Sequence, residues 1–260
     1  MNKVWSFGDS FAEGRCSDVI NNSGDNLLEK TYAHYFSKKH DIADIEISAS
    51  GGASRLDIAG RILNKIGKIR ENDYVFISKT DSMRLTILPT QIGLGDGIIK
   101  MNSDNSISSQ RDYLFTINAG SDFILKPQNV KFNKNDDTEI LSSDELNTMR
   151  DFFLKIFLKY RKNFTNYSDD FLDSAINSLL DITPNVCVVD SSIWFNKLDY
   201  MAIEYYGTDS DLYCKCGHWT EKLHKIVAIL VDTAIENNEL YINDKTCNNL
   251  WELSKERLGI

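Results

Sequence analysis

Apolar residues cluster in short runs that alternate with amphipathic stretches along much of the chain. Residues 3–7 (KVWSF) predict a buried strand, and 28–39 (LEKTYAHYFSKK) a helix with Tyr32, Tyr35 and Phe36 on one side. A strand at 44–48 (DIEIS) follows, then the small-residue loop Ala49 to Ser54, a helix from about 55 to 69 and a strand at 73–78 (DYVFIS). Strand, helix and strand in this order predict a parallel sheet covered by helices.

The pattern breaks over about 85–140, where Asn, Ser, Asp and Gly abound around short β-like pieces such as 113–118 (YLFTIN). This reads as a polar β/loop insertion. Helical periodicity returns at 143–164, with Ser143 as N-cap and Glu145 in the first turn, and again at 169–180. Pro184 ends it, 185–190 (NVCVVD) predicts another buried strand, 191–217 reads as an irregular excursion, and 219–237 predicts a closing helix. No internal repeat interrupts 1–260, so one domain with two elaborations is expected.

A length of 260 residues suffices for one large α/β domain, and 42% hydrophobic with 26% charged residues excludes wholesale disorder. The net charge of -9 without a long basic run disfavours nucleic acid as a partner. No apolar stretch reaches the roughly 20 residues needed to span a bilayer, and no signal-peptide pattern opens the chain. No membrane partner and a cytoplasmic or virion-associated location are therefore expected. The five cysteines are irregularly spaced, against a disulfide framework.

Candidate chemistry gathers where strands are predicted to end. Gly8-Asp9-Ser10-Phe11, with Gly14 beyond, follows the first strand; Gly52 and Ser54 follow the second; Thr80 and Asp81 follow the third; His218 precedes the last helix. In open parallel sheets the loops at the carboxyl ends of strands form the site. Serine acyl transfer needs a nucleophile, a base, a group that orients the base and donors for an oxyanion. For Ser10 the competing reading is a turn residue capping a helix, and for His218 an exposed loop histidine. His224 reads as a packing or solvated helix residue, and Arg84 as a surface arginine. Cys214, Cys216, His218 and His224 include zinc-ligand types, but their spacing fits no common zinc pattern, so neither a metal nor another cofactor is expected.

These blocks resemble the SGNH, or GDSL-type, serine hydrolases. Gly8-Asp9-Ser10-Phe11 matches the nucleophile block, and Ala49, Gly52, Ala53, Ser54 and Asp57 match the second block, whose glycine N–H helps form the oxyanion hole. In the third block Thr80 stands where the family has asparagine. The segment from Cys216 to Lys225 resembles the histidine block, with Trp219 in place of proline and no aspartate three residues before His218.

The resemblance implies a flavodoxin-like three-layer α/β/α sandwich. It also implies a serine esterase with Ser10 as nucleophile, His218 as base, and Ser10, Gly52 and Thr80 around the oxyanion. The acid would be Asp211, the more distant Asp190, or absent, as in a Ser-His dyad. The family's range, the polar insertion and the lack of greasy segments point to a small-molecule or glycan ester, foremost an O-acetyl group on a carbohydrate. The alternative is a non-catalytic binding or structural module on the same fold.

Overall fold

The computed structural model of the protein describes residues 2–14, 28–49, 53–80, 84–87, 98–101, 107–110, 115–118, 163, 166–194, 196–214 and 217–259. Its centre is a parallel sheet of five strands: β1 (Lys3–Gly8), β2 (Asp44–Ala49), β3 (Tyr74–Lys79), β8 (Val186–Asp190) and β9 (Tyr241–Ile242). Between β3 and β8 in sequence come β4 (Arg84–Ile87), β5 (Ile98–Met101), β6 (Ile107–Gln110) and β7 (Phe115–Asn118). The full order is β6-β5-β2-β1-β3-β8-β9, with β5 antiparallel to β2 and β6 antiparallel to β5. Part of the polar insertion thus extends the sheet at its β2 edge, while β4 and β7 pair antiparallel in a separate two-stranded sheet.

Strand alternation sorts the core into two layers. Val4, Ile47, Phe76, Cys187 and Val189 face one side, with helices α1 (Tyr32–Lys39), α4 (Asn196–Tyr206), α5 (Glu221–Glu236) and α6 (Cys247–Leu258). Trp5, Phe7, Val75, Ile77 and Val188 face the other, with α2 (Arg55–Lys65) and the helix over 166–180, α3. Two apolar layers around a twice-covered parallel sheet make the three-layer α/β/α sandwich. The parallel strands run in the spatial order second, first, third, fourth, fifth, which is the flavodoxin-like arrangement and sets the topological switch between β1 and its neighbours.

Local signals explain most boundaries. Thr31 caps α1 by accepting from the His34 N–H at 3.2 Å, so residues 28–30 form a separate 3-10 turn instead of the start of one helix over 28–39. Ser54 caps α2 in the same way through the Asp57 N–H. The helix expected to 69 stops at Lys65 and tightens to a 3-10 turn over Ile66–Lys68.

The closing segment differs from expectation. The last long helix starts at Glu221, not 219, because Trp219 pairs with Tyr213 in an antiparallel bridge. Residues 191–217 are not irregular throughout, since they contain a 3-10 turn at Ser191–Ile193 and the whole of α4. Beyond 237 stand β9 and α6, and α6 ends on Gly259, whose φ of 73° suits a helix terminus. The helix expected over 143–164 lies almost wholly outside the described residues. Among the described residues no helix is long and apolar enough to cross a membrane.

Candidate active site

The turn after β1 is built around a close approach. A Cβ on Gly8 would stand 2.7 Å from the Ala12 Cβ and 2.7 Å from the Ser78 Cβ, so only glycine lets residues 9–14 fold back over the end of β1 and β3. Asp9 then holds the turn from within. Fully buried, it accepts from the Phe11 N–H at 3.1 Å through Oδ1, and its carbonyl accepts from the Glu13 N–H at 3.0 Å. Asp9 Oδ2 accepts from the Thr80 hydroxyl at 3.1 Å, which ties the Ser10 turn to the end of β3. Ser10 stands at the carboxyl rim, 5% exposed, at the switch point where such sheets bind ligands.

His218 reaches the same rim on a hairpin. The Gly217 N–H donates to the Cys214 carbonyl at 2.9 Å and the Cys214 N–H to the His218 carbonyl at 3.0 Å, closing a tight turn in which Gly217 takes a φ of 80°. At the base of the hairpin the Thr220 N–H donates to the Leu212 carbonyl at 3.0 Å. The turn and the hairpin meet through rings: Phe11, next to Ser10, lies 5.3 Å from the His218 ring, 4.8 Å from Trp219 and 4.4 Å from Trp194. A segment near each end of the sequence is thereby packed into one aromatic cluster at the rim, and Trp194 and Trp219 are themselves buried.

Two further ties fix the hairpin. The Tyr213 hydroxyl bonds to the Asp199 carboxylate on α4 and lies 3.1 Å from the Trp194 carbonyl. Burial pushes the Asp199 carboxyl up while the Tyr213 bond opposes it, and the same burial and pairing push the Tyr213 phenol up. Below His218, the fully buried His224 stacks on Tyr32 and meets Trp219 edge-on. Burial lowers its pKa to about 3, with Glu221 opposing and His218 adding to the shift, so His224 is neutral.

The expected roles fare differently. Ser10 and His218 are brought to one rim. The Thr80 hydroxyl has a single proton, and in this structure it is directed to Asp9, so Thr80 anchors the nucleophile turn. Its carbonyl accepts from Arg55 Nε at 2.9 Å. Arg55 also pairs with Asp169, so the start of α2, the end of β3 and α3 are joined by one guanidinium.

Both acid candidates sit at turns. Asp211 is exposed in a left-handed turn with φ 60°, and its carbonyl accepts from the Thr220 hydroxyl at 2.5 Å. Asp190 caps the turn after β8, accepting from the Ser192 N–H at 2.8 Å. Gly52, Asp81 and Cys216 lie outside the described residues, and of Arg84 only the backbone is described. Among the described residues no group of three His, Cys, Asp or Glu side chains is placed to hold a metal ion.

The sequence reading missed Trp194 and the Tyr213–Asp199 brace. The signal for Trp194 was its place just past a strand end, where rim residues collect; the brace joins a loop to a helix and leaves no pattern along the chain. Compared with family models, curated proteins and solved structures, the chain matches none of them.

Proposed function

We propose that the protein is a serine esterase acting on a small acyl ester, foremost an O-acetyl group on a carbohydrate. The observation that carries this reading is the contact between His218 and Phe11, the neighbour of Ser10 in the chain, at the rim where such sheets bind ligands. Ser10 Oγ attacks the ester carbonyl while His218 takes its proton. The oxyanion forms against the Ser10 and Gly52 N–H groups. Collapse expels the alcohol, which receives the proton from His218; water then attacks the acyl-enzyme, again giving its proton to His218, and acid and free Ser10 result.

With Asp211 exposed in a turn and Asp190 capping the turn after β8, the reading takes the form of a Ser-His dyad. The Phe11 ring packs against the imidazole and helps to orient it. The packed Trp194–Phe11–Trp219 cluster next to Ser10 in the chain supports a small acyl group. The lack of an aspartate three residues before His218, with Thr80 in place of an asparagine, favours the second reading, a non-catalytic module on the same fold. Turnover of p-nitrophenyl acetate separates them: hydrolysis that disappears in Ser10→Ala supports the esterase, and a folded wild type inert toward short esters leaves the module.

A further inference from the structure

A second feature stands on the same rim. Helix α4 begins just past the carboxyl end of β8 and α6 just past that of β9, so the first turns of both helices flank the end of the sheet where Ser10 lies. Between them runs a groove of about 430 Å³ lined by Asn196, Lys197, Tyr200, Met201, Asn248, Trp251 and Glu252. β8 is two strands from β1, about 10 Å at the usual strand spacing, and β9 one strand further, a separation that a short oligosaccharide spans.

The lining states the chemistry of its ligand. Its charges are matched within the protein: Lys197 donates to the Asp244 carbonyl at 2.6 Å and pairs with its carboxylate, and Glu252 pairs with Lys255 at 2.7 Å. The Trp251 N–H is held by Glu204 at 2.5 Å. Outward the lining presents the exposed Asn196 and Asn248 amides and the Glu252 carboxylate paired with Lys255, beside the Tyr200 ring, which is 63% exposed, more than any other large apolar side chain among the described residues. Buried Met201 and Trp251 form the floor. A flat ring that can lie against the C–H face of a sugar, flanked by amides that donate to and accept from hydroxyls, suits an uncharged polyhydroxylated chain.

We propose that the α4–α6 groove is a subsite for a neutral pyranose oligosaccharide and holds the units beyond the one whose acyl ester meets Ser10. The link to Ser10 rests on the esterase reading, whereas binding in the groove can be measured without it. Calorimetric titration of the Ser10→Ala protein with cellotetraose, xylotetraose, mannotetraose and maltotetraose, and with tetragalacturonate as an anionic control, is the test.

At least one neutral tetrasaccharide should bind. Tyr200→Ala, which removes only an exposed side chain, should weaken it about tenfold, a usual cost of truncating an aromatic anchor. Tyr200→Phe should retain it. With the partially O-acetylated form of that sugar, Tyr200→Ala in otherwise wild-type protein should raise KM and leave kcat/KM for p-nitrophenyl acetate unchanged. Binding of none of the neutral sugars, binding indifferent to Tyr200→Ala, or preference for tetragalacturonate overturns the subsite. Loss of the esterase reading would show separately, as absent turnover of p-nitrophenyl acetate beside intact sugar binding.

Discussion

Replacing Gly8 by alanine tests how the Ser10 turn is held. Gly8 has no left-handed φ, so alanine meets no backbone penalty; the effect is one of volume alone. The new methyl would lie 2.7 Å from both the Ala12 and Ser78 Cβ atoms and 3.3 Å from the Ser78 carbonyl oxygen, where carbon atoms normally rest at about 3.5–4.0 Å. All three neighbours are fixed to backbone, so relief requires the turn to rise by about 1 Å from the strand ends. Overpacking of this kind costs about 1–3 kcal/mol, and two simultaneous contacts place Gly8→Ala near the upper end. For a chain of this size that is a loss of roughly 6–12 °C in Tm.

A displacement of Ser10 by about 1 Å should also lower kcat/KM for p-nitrophenyl acetate by about 100-fold. Gly67→Ala is the matched control, because nothing lies within 4 Å of its added methyl. It should be neutral or stabilise by about 0.4–1 kcal/mol. In the double variant Gly8→Ala/Ala12→Gly one contact is relieved, and urea unfolding should show a favourable coupling of about 0.5 kcal/mol or more. A Gly8→Ala protein within about 0.5 kcal/mol of wild type, the scatter of an unremarkable surface change, would refute the packing account of the turn.

His224 gives a pH dependence of fixed sign. Its folded pKa of about 3 lies below the ordinary 6.5, so the unfolded chain binds the proton first and stability falls as pH drops from about 6.5 toward 3. Between pH 7 and pH 5 the loss from this group is on the order of 2 kcal/mol, and His224→Phe should flatten the urea-unfolding profile over that range; an unchanged slope would contradict it. Thr80→Val should lower stability by about 2 kcal/mol by removing a donor from the buried Asp9 carboxylate, with Thr80→Ser restoring most of it. Equal stability of the valine variant and wild type would show that the bond to Asp9 contributes nothing. Tyr213→Phe should cost about 1–2 kcal/mol and speed amide exchange across residues 212–220, and unaltered exchange would show that Asp199 does not brace the hairpin.

The parallel sheet was legible because each of β1, β2, β3 and β8 is a short apolar run next to turn residues, and both of its faces are covered. Helix α4 was obscured by its polar neighbours at 207–217, although Leu198, Met201 and Ala202 carry its helical spacing. β9 has two residues, too few to show a period, whereas α6 shows one at Cys247, Leu250, Trp251 and Ser254 that a closer reading would have caught. At the site, Gly8, Asp9 and Ser10 announce their turn because its constraints are local. Thr80 could be placed at a strand end but not assigned a partner, since its bond to Asp9 joins segments far apart in sequence. Asp211 was chosen by nearness along the chain, and it sits in a left-handed turn at the foot of the hairpin with its carbonyl bonded to Thr220.

Intact-mass analysis after treatment with a fluorophosphonate tests the central claim, that Ser10 is a nucleophile activated by His218. The account predicts one stoichiometric adduct on the peptide carrying Ser10 in the wild type, none in Ser10→Ala, strongly slowed labelling in His218→Ala and near-normal labelling in Asp211→Ala. A folded wild type that stays unlabelled, or an adduct that persists in Ser10→Ala, would contradict it.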